Sequence, residues 1–199
     1  GNFLLGVLAA LGAAGATGML VELLALRRLY GRDHLDQVLA TFGIILTFNE
    51  ITKILWGPQA LFLSTPEVLS STVEVIPGVP YPAYRLFVII VGLAVCFFLR
   101  HLIINTRLGM LIRAGATHRE MVNALGVNID RLFTIVFGIG AMLAGLAGAM
   151  AGPMLAIEVG MGENILILTF VVIIIGGIGS IRGALIGAIL VGVVDNYGR

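Results

Sequence analysis

Charge is scarce in this sequence. Asp, Glu, Lys and Arg together make up 12% of its 199 residues, about half the share of an ordinary soluble domain. The formal net charge is +1 and the basic residues stand singly or in pairs along the chain, so no surface for nucleic acid is assembled. Cysteine is nearly absent as well. The lone Cys96 excludes an internal disulfide and a cysteine zinc cluster, and its setting, GLAVCFFL, is that of a small buried hydrophobe. The histidines His34, His101 and His118 have neither metal-ligand spacing nor a paired nucleophile. No metal, no cofactor and no enzymatic centre are expected. A nucleotide motif is also lacking: GGIGSIRG contains Gly177, Gly179 and Gly183, but Arg182 holds the place of the third glycine in the dinucleotide fingerprint, and the stretch has no P-loop lysine.

Apolar residues are abundant. They reach 59%, mean hydropathy is +1.07, and such a chain is a membrane protein. Glycine contributes 27 residues, which lets helix backbones approach closely where lipid gives no hydrophobic drive for association. The expected fold is an all-α polytopic transmembrane bundle with about six hydrophobic segments, forming one domain over residues 1–199. A span needs roughly 20 apolar residues. Residues 2–26, 35–56, 84–104 and 132–152 qualify, whereas 165–177 and 183–194 are short and are read either as two short spans or as half-helices of a broken element.

Arginine placement orients these spans. The loop RRLYGRDH (27–34) and the segment 100–131, with Arg100, Arg107, Arg113, Arg119 and Arg131, should face the cytoplasm. Loops 57–82 and 153–164 hold Glu67, Glu74, Glu158 and Glu163 with no Lys or Arg, and should lie outside.

Between two apolar runs sits RAGATHREMVNALGVNID (113–130), the most polar stretch of the chain's middle. Thr117 and Glu120 have capping-box spacing, which predicts a short helix from about residue 118. Gly126 should end that helix in a left-handed conformation. Asn128 should cap the next span, with Asp130 in its first turn favoured by the helix dipole. Met121 and Leu125 are four apart and share one face. A two-turn helix is too short to be stable alone. It must dock, either on the chain's own span ends and the lipid interface or on a partner.

Other candidates have packing readings beside functional ones. Ala141, Gly145 and Ala149, with Ala144, Gly148 and Gly152 beside them, form two small-residue ladders suited to close helix crossing. Glu50 and Lys53 are read as the only opposite-charge pair inside a span. Intramembrane charges suggest function, but their place near Trp56 favours mutual neutralisation at the interface. Asn49 is a weaker candidate beside them. The break carrying Gly176, Gly177, Gly179, Ser180 and Gly183 is either a tight cytoplasmic turn or, with Asn49 and Glu50, part of a substrate pathway that exposes helix ends to a cavity.

TRLGMLIRAGATHREMVNALGVNIDRLFTIVFGIGAMLAGLAGAM resembles the cytoplasmic loop and following span of bacterial ABC-importer permeases, specifically the branched-chain amino acid permeases of the LivH type. VVIIIGGIGSIRGALIGAILVGVVDNYGR resembles the glycine-rich C-terminal signature of that family, and LRRLYGRDHLDQVLATFGIILTFNEITKILWGP an earlier loop and span. The resemblance implies a multi-pass protein of the bacterial inner membrane, present here as a fragment truncated at both ends. It also implies a coupling helix within the loop 105–131 that docks on a separate ATPase. Glu120 and Gly126 match the spacing of the family's Glu-Ala-Ala, three residues, Gly pattern, with Met121 and Val122 in place of the alanines. Arg113, Ala114, Thr117, Glu120, Met121, Leu125 and Gly126 are the coupling candidates.

The function so implied is inward passage of branched-chain or related hydrophobic amino acids. The implied partners are ATP-binding subunits, a second homologous permease subunit, a periplasmic substrate-binding protein and membrane lipid. A urea or short-chain amide permease is the alternative within the superfamily. A secondary transporter is the alternative from another class; it would need a coupling-ion site among intramembrane acids, and on this reading only Glu50 qualifies.

Overall fold

The computed structural model describes residues 3–63, 72–76, 79–177 and 179–198. The chain is a polytopic helical bundle. α1 (Phe3–Val21) runs through a π-helical turn (Glu22–Leu26) into α2 (Arg27–Leu29), making one continuous rod, Phe3–Leu29. α3 (His34–Trp56) stops where Gly57 adopts φ +84°, a left-handed value that L side chains resist, immediately before Pro58. α4 (Ala83–Asn105), α5 (Arg107–Thr117), α6 (Arg119–Ala124), α7 (Ile129–Ala151), α8 (Met161–Gly176) and α9 (Ile181–Gly198) follow. A short antiparallel hairpin, β1 (Thr72–Ile76) with β2 (Val79–Pro82), lies in the segment read from sequence as a plain loop. Its β-branched run TVEVI favours extended backbone.

Among the described residues, five helices are long and apolar enough to cross a membrane: Phe3–Leu29, Leu35–Trp56, Ala83–Asn105, Ile129–Ala151 and Ile181–Gly198. α8 is apolar but only 16 residues long. Leu35, Ile54 and Phe97 are 84%, 81% and 74% exposed, so the spans turn apolar side chains outward, as helices surrounded by lipid or by other spans do.

The most extensive packing runs between α1 and α7, which lie antiparallel. Gly18 faces Ala141 and Gly145 faces Ala14, each so close that an added Cβ would collide with its neighbour's methyl. A Cβ at Gly15 would stand 2.6 Å from Met142 Cγ, and one at Gly138 2.6 Å from Met19 Cε. The interface therefore alternates glycine with methionine or alanine across the pair, filling each gap with the other helix's side chain.

At the other end of α7, Tyr84 is 2% exposed and its hydroxyl donates to the Met150 carbonyl at 2.9 Å, while its ring meets Phe3 edge-on at 6.4 Å. Loop residues Leu61 and Ile157 pair there through an isolated bridge, N–H to carbonyl in both directions at 3.0 and 2.9 Å. The segments after α3 and after α7 thus share one end of the bundle.

α8 and α9 fold back against each other. Gly176 and Gly183 bring the two backbones into direct contact, and a Cβ at Gly187 would stand 2.8 Å from the Val172 carbonyl oxygen. They are side-by-side antiparallel helices, about 24 and 27 Å long at 1.5 Å per residue. The geometry is that of a helical hairpin and not of half-helices placed in line.

Candidate functional site

The segment between α4 and α7 is built from successive caps. Thr106 starts α5: its hydroxyl accepts from the Gly109 N–H at 3.2 Å. The Arg113 guanidinium donates to the Ile103 carbonyl and so ties α5 back to the end of α4. Ala114 is half-buried, and Gly115 abuts Leu132 Cδ2 of α7. α6 then begins at Arg119 and ends at Ala124. The Gly126 N–H donates to the Asn123 carbonyl at 3.0 Å, and Gly126 has φ +81°. Asn128 Oδ1 accepts from the Arg131 N–H at 3.0 Å and caps α7, with Asp130 in the first turn.

Thr117 does not have the place its spacing suggested. It is the last residue of α5 and its hydroxyl donates to the Arg113 carbonyl at 2.9 Å, while α6 has His118 at its N-cap with no side-chain cap bond. A threonine inside a helix turns its hydroxyl back to the carbonyl four residues earlier, and α5 extends far enough to include it. Glu120 lies in α6, and its side chain is outside the described residues.

Val122 is 6% exposed, and Ile129 and Leu132 are buried at the same end of α7. Met121 and Leu125 point the other way, 64% and 78% exposed. α6 therefore rests on the bundle through Val122 and presents an apolar pair outward.

A second feature escaped the sequence reading. Glu22, at the start of the π turn, is fully buried, and it is the only buried charged residue among those described. Thr134 of α7 donates to Glu22 Oε2 at 2.6 Å, Arg27 Nη2 donates to Thr134 Oγ1 at 2.9 Å, and Arg27 Nε lies 3.7 Å from Glu22 Oε1. Glu50 and Lys53 are thus not the only opposite-charge pair within a span. Glu22 and Arg27 form another, and Glu22 is the better shielded acid. An acid within GMLVELLAL followed five residues on by arginine was the available signal. Five-residue spacing is not a helical neighbour distance, so the pair was invisible to an α-helical reading.

The remaining candidates are dispersed. Asn49 Nδ2 donates to Glu163 Oε1 at 2.5 Å, joining α3 to the start of α8, while Lys53 and Glu50 pair at 2.8 Å on the exposed side of α3. The α8–α9 turn lies apart from both. Gly177 and Gly179 have φ +81° and +86°, and the Ser180 hydroxyl accepts from the Gly183 N–H at 3.0 Å, capping α9. These residues close a turn and cap a helix. Of the two ladders, Ala141 and Gly145 face α1, whereas Ala144 is exposed and Gly148 has nothing within 4 Å of a built Cβ. Gly152 lies against Leu63 and Ile157, each 3.2 Å from its built Cβ. Of the second ladder, Gly152 thus packs within the chain, whereas Ala144 and Gly148 meet no neighbouring helix among the described residues. No group of three or more metal-ligating side chains occurs among the described residues.

The whole chain, residues 1–199, matches the model of the branched-chain amino acid transport system / permease component family. It is 30% identical over 186 residues to the high-affinity branched-chain amino acid transport system permease protein BraD of Pseudomonas aeruginosa, covering 92% of this chain and 61% of that one. It is 26% identical over 207 residues to LivH of Salmonella typhimurium, covering 96% and 63%. A ribose import permease protein, RbsC of Escherichia coli, is 32% identical over 126 residues, covering 60% of this chain and 37% of that protein. No solved structure matches. The chain spans less than two thirds of the length of these relatives. On the match over its full length, the chain belongs to the family of branched-chain amino acid transport permease components.

Proposed function

We propose that the chain is part of a transmembrane permease subunit of an ABC importer, moving branched-chain or related hydrophobic amino acids into the cytoplasm while separate ATP-binding subunits supply the energy. The observation that carries this reading is the outward-facing pair Met121 and Leu125, in and just after the short helix α6 outside the spans. Apolar side chains so exposed at the end of a membrane bundle suit a protein partner. A short helix seated by the buried Val122 and closed at its C-terminal end by Gly126 is suited to transmit force from such a partner. The arginine-bearing end, with Arg27, Arg28, Arg113 and Arg131, then faces the cytoplasm of a bacterial inner membrane. Asn49, Glu163 and the β-hairpin lie at the end that meets a periplasmic binding protein. The exposed Gly148 face is assigned to a second permease subunit or to lipid.

The pathway for substrate is assigned to the side of α1 facing α3, where a cavity of about 310 Å³ is lined by Thr17, Leu20, Leu24, Ile44, Thr47 and Phe48. An almost wholly apolar wall suits an aliphatic side chain better than urea or a sugar. Glu22 does not favour a secondary transporter, because Thr134 and Arg27 already engage it. The test is uptake by proteoliposomes holding the full-length permease, its ATP-binding subunits and its binding protein. ATP-dependent accumulation of leucine in preference to urea and ribose is expected. Uptake driven by an ion gradient without ATP would overturn the reading.

A further inference from the structure

We infer that Glu22, Arg27 and Thr134 form a positioning joint through which movement of the docking segment reaches α1, a role that rests on the permease reading above. In an α-helix, side chains five residues apart diverge by about 140°. Only the wider turn, in which the Arg27 N–H donates to the Glu22 carbonyl, places the two side chains on one side of the rod. The π turn and the Glu22–Arg27 pair therefore exist together: tightening the turn to α geometry separates the pair, and separating the pair removes what holds the turn open.

The third member connects this turn to the docking segment. Thr134 lies six residues beyond the Asn128 cap, on the turn of α7 that follows Ile129 and Leu132; Gly115 of α5 abuts Leu132, and α6, which also contacts α7, has Val122 buried. Its single hydroxyl proton has two acceptors in reach, Glu22 Oε2 at 2.6 Å and the Asp130 carbonyl at 2.9 Å, and it also accepts from Arg27. One hydroxyl thus ties α7's own first turn, the acid and the guanidinium together.

The joint is also incomplete. Glu22 Oε1 and Arg27 Nε are buried without a hydrogen-bond partner, although only 3.7 Å separates them. Unpaired buried polar atoms are costly, and a purely static brace would bring Nε–H onto Oε1. The geometry leaves a second arrangement within a small movement of the rod, in which that bond forms. Two discrete arrangements of one packed element are what coupling between distant parts requires.

The test uses the full-length permease with its ATP-binding subunits and binding protein in proteoliposomes. Thr134→Val keeps the shape and removes the hydroxyl, whereas Thr134→Ser keeps it. Two readouts are taken: leucine imported per ATP hydrolysed, and hydrogen exchange of the backbone amides of residues 22–29. Thr134→Val is expected to recover complex at the wild-type level, exchange faster across the π turn and import about fivefold less leucine per ATP. Thr134→Ser is expected to restore both. Glu22→Gln keeps an acceptor for Thr134 but loses the attraction to Arg27, and a smaller fall in the same ratio is expected. An unchanged ratio in both Thr134→Val and Glu22→Gln overturns the joint. So does a fall of uptake and hydrolysis together, in proportion to lost complex. A wild-type chain that binds no ATP-binding subunit would instead defeat the permease reading, and this inference with it.

Discussion

Small polar side chains at helix ends organise the arginine-bearing end of this molecule, and their substitution should rank by what each one bonds. Asn128→Ala removes the side-chain cap of α7 and should cost about 1 kcal/mol. Thr117→Ala removes only an exposed hydroxyl bonded to a carbonyl within its own helix, and its effect should stay within about 0.5 kcal/mol. Hydrogen exchange at the start of each helix, residues 129–133 for Asn128→Ala and 119–122 for Thr117→Ala, measures the contrast. Equal effects would mean that Thr117 caps α6 after all. The difference between these positions could not be read from spacing alone. A Thr-x-x-Glu pattern fits a cap wherever a helix starts, and its meaning depends on whether the preceding helix has already ended. Gly126 and Asn128 were legible because each follows a local rule, a left-handed terminator and an N-cap, that no neighbouring element overrides.

Helix pairing adds information that no single position carries. The two ladders are equivalent as sequence, yet Ala141 and Gly145 face α1 while Ala144 and Gly148 face outward. Gly145→Leu should drive its side chain into Ala14 and the Ala10 carbonyl, separating α1 from α7 and lowering recovered protein. Overpacking of this kind typically costs 1–3 kcal/mol. Gly148→Leu should leave the isolated chain's stability unchanged, and the comparison is made by thermal denaturation in detergent. If Gly148→Leu is the more damaging of the two, the assignment of faces is wrong. In the α8–α9 hairpin, Gly183→Leu has no room against the Gly176 carbonyl and should prevent the two helices from pairing. The lengths of α8 and α9 left their arrangement open in sequence, because short apolar segments around a glycine-rich break fit several geometries.

For the whole molecule, the positions of arginine and of apolar runs already specified a multi-pass bundle with its polar segment at one end. The expected span limits agree with α1, α3, α4 and α7 to within a few residues. Missing from that reading were Glu22 and the β-hairpin, the first because a π turn follows neither the α nor the β period and the second because β1 and β2 are very short. Orientation is tested with single cysteines in a Cys96→Ala background. A cysteine at Glu158 should react with an impermeant thiol reagent in intact spheroplasts and one at His118 should not, and the reverse pattern would invert the bundle.

The most direct measurement is co-purification of the ATP-binding subunits with a permease carrying Met121→Asp and Leu125→Asp. Placing two unpaired charges in an apolar contact is far costlier than the contact is favourable. Neither residue lies in a span, so the protein should still accumulate in the membrane. The variant is expected to reach the membrane at the wild-type level but to retain no ATP-binding subunit and no substrate-stimulated hydrolysis. Full co-purification with normal stimulation would contradict that expectation.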